Sequence, residues 1–123
     1  MQVPLLKQGA ILIATLQPSL TDTDFVALGK ELLTRVGVDR IKGVIVDVGS
    51  LDVIDSFSAR TLRNIADTVG LRGARMVVVG IQPEIAFSMV QLGLTLQNTW
   101  TALDLDDGLI LLEQGAQGRP DVR

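Results

Sequence analysis

A chain of 123 residues is long enough for one buried core and too short for two, so a single domain is expected. It contains no cysteine and no histidine, which excludes disulfides, thiolate metal sites and the usual acid-base or nucleophile-base pairs near neutral pH. A net charge of −3, one Trp, three Phe and no Tyr leave neither the basic face nor the stacking platform that a nucleic-acid binder uses.

The elements follow in chain order. Ala10 to Leu16 is a short apolar run between Gly9 and Pro18, of strand length, and Val3 to Lys7 is a partner for it. Thr21-Asp22-Thr23-Asp24 then offers several N-caps for a first helix, whose face is Phe25, Leu28, Leu32 and Val36 and whose stop is Gly37. Val44 to Val48 is apolar at nearly every position, as in a strand covered on both faces. A second helix starts after Asp55, carries Leu62, Ile65, Ala66 and Val69 at helical spacing, and stops at Gly70. Arg75 to Gly80 reads as another buried strand. Pro83 suits the first position of a third helix with Ala86, Met89 and Val90 on one face and Gly93 past its end. A short strand spans Thr99 to Leu103, and the Asp104 to Asp107 cluster caps a last helix with Leu105, Leu109 and Leu112. Strands alternating with helices predict an α/β fold: a mixed, mainly parallel sheet with about four helices packed on it. The domain is expected over residues 1–115, with 116–123 a polar tail.

No window approaches the roughly eighteen apolar residues of a membrane span, and the N-terminus has no signal-peptide pattern, so a cytoplasmic protein is expected. Even so, 47% of residues are hydrophobic and the mean hydropathy is +0.39. That surplus fits either a Val, Leu and Ile core with ordinary exposed apolar atoms or a surface that meets a partner.

One stretch stands out chemically. Asp55-Ser56-Phe57-Ser58 places small hydroxyls at a helix N-terminus, where unpaired amides and the positive end of the macrodipole stabilise added negative charge. Simple capping by Asp55 explains the same residues without any function. The functional reading is that Ser56 or Ser58 accepts a phosphoryl group from a separate kinase, and that the resulting dianion, repelled by Asp55, drives a docked partner away. Arg60 and Arg63 are either partners for that phosphate or solvated helix charges. Asp47 lies where a carboxylate is costly unless hydrogen-bonded, and reads as a strand end. A small hydrolase using Asp47, Asp55 and Ser56 would lack a base, since the only lysines are Lys7, Lys30 and Lys42. Gly70-Leu71-Arg72-Gly73 follows a helix and precedes a strand, the wrong order for a phosphate cradle, and is read as a helix stop and turn. No cofactor, metal site or catalytic residue is expected.

The strand-turn-helix from Val44-Ile45-Val46-Asp47-Val48 through Val53-Ile54-Asp55-Ser56-Phe57 resembles the STAS superfamily of anti-sigma-factor antagonists and sulfate-transporter domains. Phe57-Ser58 stands where that family commonly has Ser/Thr-Gly. With Gly80-Ile81-Gln82-Pro83, Leu92-Gly93-Leu94 and Thr101-Ala102-Leu103-Asp104-Leu105, the likeness is more specific to the RsbS-type scaffolds of the bacterial stressosome. The resemblance implies a non-enzymatic subunit that co-assembles with RsbR-type STAS sensors, sequesters an RsbT-type serine kinase and releases it when phosphorylated. It implies Ser56 as the acceptor with Ser58 as rival, and Asp55, Phe57, Arg60 and Asp47 as the docking and phosphosite surroundings. The alternative within the family is a stand-alone antagonist that binds an anti-sigma kinase.

Overall fold

The computed structural model describes residues 3–93 and 99–115. Leu94 and the tail at 116–123 lie outside them. Five strands, β1 (Leu5–Gln8), β2 (Ile11–Thr15), β3 (Gly43–Asp47), β4 (Arg75–Val79) and β5 (Thr99–Ala102), form one sheet in the order β1-β2-β3-β4-β5. The β1–β2 pair is antiparallel, with Leu6 opposite Ile13, and every other pairing is parallel. Four helices, α1 (Asp22–Val38), α2 (Ser56–Leu71), α3 (Pro83–Gln91) and α4 (Leu105–Gly115), alternate with the parallel strands. The expected α/β class and mixed sheet are therefore present.

Period-two side-chain placement divides the sheet into two buried faces. Leu12, Ala14, Val44, Val46, Met76 and Val78 pack into one large cluster with Phe25, Leu28 and Leu32 of α1, Leu62, Ile65 and Val69 of α2, and Ile85 and Met89 of α3. Ile13, Ile45, Val77 and Val79 face the other way and meet Leu112, with Leu105, Leu109 and Trp100 around them. Because α1, α2 and α3 each follow a rightward step along the sheet, right-handed crossovers put all three on one face. α4 continues past the last strand and covers the opposite face.

Local chemistry fixes the helix ends. Thr21 Oγ1 accepts from the Asp24 amide at 3.1 Å while the Thr21 amide donates to Asp24 Oδ2 at 3.0 Å, a capping box that starts α1. Gly93 follows the end of α3 at φ 67, as expected, whereas α1 and α2 run past the glycines first read as their stops. α1 runs through Gly37, and Arg40 takes the left-handed conformation at φ 54 while the Ile41 amide donates to Val36 O. α2 likewise passes Gly70, with Gly73 at φ 94 and the Ala74 amide donating to Val69 O. Each is the six-residue closure of a Schellman turn, which forms where the residue after the left-handed one can be buried. Ile41 and Ala74 are both buried, and no residue following Gly37 or Gly70 inside the helices meets that condition, since Val38 and Leu71 are exposed.

One helix face also differs from expectation. In α3 the core-facing pair is Ile85 and Met89, whereas Val90 is 77% exposed and Ala86 is exposed too. Outside the side marked by Glu84, Ser88 and Gln91 the nine-residue helix is apolar over a broad face, so spacing alone did not identify the part of it that packs. Among the described residues no helix is long and apolar enough to cross a membrane.

Candidate functional site

The serine turn is built on the loop from Val48 to Asp55, which leaves the C-terminal edge of the sheet and enters α2. Val48, Leu51 and Ile54 are buried in the large cluster, while Ser50, Asp52, Val53 and Asp55 are exposed. Three apolar anchors thus hold down a loop whose polar side chains point outward. The burial of Ala59, Leu62, Ile65, Ala66 and Val69 on α2 fixes the roll of the helix, and with it the presentation of its first turn.

Asp55 is the N-cap, with extended backbone at φ −95 and ψ 173, and its Oδ1 accepts from the Ser58 amide at 2.7 Å. The capping reading is therefore correct as far as it goes. Hydrogen bonds from the Ser58 amide and then from its hydroxyl hold the Asp55 carboxyl below its ordinary range, with a further contribution from the Arg60 charge. Ser56, at the first helical position, is half-buried, as is Ser58. Phe57 between them is 38% exposed and Val53 78% exposed, so apolar surface borders the hydroxyls.

The structure brings Asp55, Ser56, Phe57, Ser58 and Arg60 together on one turn and leaves Asp47 engaged elsewhere. Asp47 ends β3, as expected, and its Oδ1 accepts from the Gly49 amide at 2.8 Å. Arg63 lies half-buried one turn beyond Arg60. The sequence reading missed the groups that brace the loop from the side: Gln82 Nε2 donates to the Gly49 carbonyl at 2.6 Å, and Gly80, at φ 77, lies against Asp47 and Gly49. Their signal was the Gly80-Ile81-Gln82-Pro83 run itself, a glycine and an amide just ahead of a proline-led helix.

Removing the cap gives a direct test of this turn. Asp55→Ala is expected to cost about 1 kcal/mol of stability at neutral pH. Because the folded carboxyl is more acidic than the unfolded one, its stabilising effect is complete above the unfolded value near 3.9 and is lost as pH falls through the lower folded value. Urea unfolding of both proteins should therefore show a gap that closes in acid below about pH 4; a gap independent of pH would rule out the ionised cap.

Comparison with known proteins places these features. The model of the STAS domain matches residues 2–108. The chain is 32% identical over 80 residues to the RsbT co-antagonist protein RsbRA of Bacillus subtilis, covering 65% of this chain and 29% of the relative; the chain thus spans under a third of that protein's length. Among solved structures, a Moorella thermoacetica RsbS in which a serine is replaced by glutamate superposes with a TM-score of 0.82 at 31% identity, covering 94% of this chain and 97% of the other. A chain from the molecular architecture of the stressosome, a signal integration and transduction hub, gives 0.81 at 32%, covering 93% and 99%. The unphosphorylated anti-sigma factor antagonist SpoIIAA, at 13% identity and 0.68 with 92% and 98% covered, shares the fold.

Proposed function

The chain belongs to the STAS domain family, and from that premise we propose that it is a non-enzymatic, cytoplasmic stressosome subunit of RsbS type that sequesters an RsbT-type serine kinase and releases it once phosphorylated on Ser56. The observation that carries this reading is the capped turn: Asp55 Oδ1 accepts from the Ser58 amide at 2.7 Å, and the half-buried Ser56 at the first helical position forms no side-chain hydrogen bond among the described residues. Ser56 thus presents a free acceptor beside helix amides that can receive a phosphate.

In the transfer, the Ser56 Oγ attacks the γ-phosphorus of ATP held by the kinase, the bond to the β-phosphate oxygen breaks, ADP leaves and the hydroxyl proton is released. The product carries about −1.5 to −2 charge. A kinase seated on Val53 and Phe57 then meets a dianion at its interface, and desolvating that charge opposes binding. Near-complete mutual coverage with an RsbS and a stressosome chain, and the RsbR-type relatives, support assembly with RsbR-type STAS sensors. The apolar side chains left exposed, among them Val53, Phe87, Val90 and Leu103, are available to such contacts.

Light scattering on the chain alone, with an RsbR-type partner and with an RsbT-type kinase tests the assembly; a particle many times the subunit mass is expected in the mixture. Phosphopeptide mass spectrometry after incubation with kinase and Mg·ATP tests the switch. A species that stays monomeric with every partner, or phosphate found only outside the Ser56–Ser58 turn, would refute the reading.

A further inference from the structure

We propose that Gln82 and Asp47 are positioning residues for the phosphoacceptor turn, acting together on the Gly49 peptide; the role rests on the reading of Ser56 as acceptor. Gly49 is the first residue of the loop that is not itself buried, and both its polar backbone groups are held by side chains. Its amide donates to Asp47 Oδ1 at 2.8 Å and its carbonyl accepts from Gln82 Nε2 at 2.6 Å. Gln82 occupies the N-cap of α3 yet makes no side-chain capping bond there. Its amide reaches instead to a residue 33 positions earlier in the chain.

Gly80 makes this closure possible. It adopts φ 77, and a β-carbon on it would lie 3.0 Å from Asp47 Oδ1 and 3.2 Å from the nitrogen and α-carbon of Gly49. A side chain there would push the two loops apart in addition to straining its own backbone. Pro83, at the start of α3, fixes the backbone just after Gln82. The Gly80-Ile81-Gln82-Pro83 run thus joins the loop before α2 to the loop before α3. The buried anchors Leu51 and Ile54 set the depth of the β3–α2 loop, and the Gly49 contacts set its lateral position. In-line transfer to a hydroxyl is sensitive to displacements of about 1 Å, so a loop fixed on both sides presents Ser56 in one geometry.

The test compares Gln82→Met, which keeps length without a donor, with Gln8→Ala on the edge strand β1 as control. Hydrogen-deuterium exchange of the full chain should show amides in residues 49–55 exchanging about tenfold faster in Gln82→Met, with β1 and β2 unchanged. With an RsbT-type kinase and Mg·ATP, kcat for Ser56 should fall about tenfold with little change in KM, and Gln8→Ala should match the parent in both assays. Unchanged exchange in 49–55, or acceleration spread equally over the sheet, would overturn the positioning role. So would faster loop exchange with an unaltered kcat. Failure of the parent protein to accept phosphate anywhere on the turn would instead refute the scaffold reading and remove the role with it, and the exchange result separates that case from the others.

Discussion

Ser56→Ala is expected to abolish phosphoryl incorporation by an RsbT-type kinase, leaving less than about a tenth of the parent's level, and to retain the kinase under conditions that release it from the parent. Ser56→Glu is expected to weaken kinase binding by roughly tenfold to a hundredfold, equivalent to about 1.4 to 2.8 kcal/mol. The two serines are separated by their places relative to the cap. The Ser58 amide donates to Asp55 Oδ1 at 2.7 Å, so phosphate on Ser58 would set a like charge beside the capping carboxylate and would loosen the N-cap. Phosphate on Ser56, at the first helical position, has no such bond to break and lies beside unpaired helix amides. Arg60, whose charge already reaches Asp55, stands near enough to that turn to offset part of the added charge. Binding measured by surface plasmon resonance and phosphate located by mass spectrometry decide the matter. Full phosphorylation of Ser56→Ala on Ser58 would transfer the role to Ser58, and normal kinase release from a protein lacking both hydroxyls would end the charge-switch mechanism.

The sequence was most legible where one physical requirement dominates. Buried parallel strands must be apolar on both faces, and Val44-Ile45-Val46 and Met76-Val77-Val78 announce themselves for that reason. The faces of α1 and α2 were equally plain because their apolar residues are sparse enough to define a stripe, as Phe25, Leu28, Leu32 and Val36 do. α3 misleads the same reading because Glu84, Ser88 and Gln91 mark only one side while Ile85, Ala86, Phe87, Met89 and Val90 spread over the rest, leaving more than one apolar stripe to choose from. The helix stops depend on a second condition, a buried residue after the left-handed one, which is decided by Ile41 and Ala74 meeting the core rather than by where the first glycine falls. The serine turn was visible from its cap. Its bracing was not, because the Asp47–Gly49–Gln82 contacts join segments 33 residues apart and depend on the close approach of two loops at Gly80.

Gly108→Val is expected to lower stability by about 3 kcal/mol, the upper part of the range for overpacking a core. The opposing term is small, since replacing a helix-interior glycine returns about 0.5 to 1 kcal/mol for alanine and less for the β-branched valine, so geometry must determine the sign. α4 lies against the sheet at Gly108, where a β-carbon would come 2.8 Å from Val79 Cγ1, with Ile45 and Val77 next in reach. Val79 is 1% exposed and β-branched, so it has no free rotamer with which to retreat; the helix must lift from the sheet and expose part of the Ile45, Val77 and Leu112 cluster. Gly43→Ala provides the contrast. Its β-carbon would meet the terminal carbons of Leu112 at 2.7 and 2.9 Å, and a leucine end can rotate, so a loss of about 1 kcal/mol is expected. Trp100, the single tryptophan, borders the same cluster and reports unfolding in urea by its fluorescence. Lower midpoints with an unchanged denaturant slope, ordered parent, Gly43→Ala, Gly108→Val, would establish the close seating of α4. A Gly108→Val protein as stable as the parent would mean that α4 does not approach Val79 this closely, and that the second face of the sheet is covered by something other than direct helix contact.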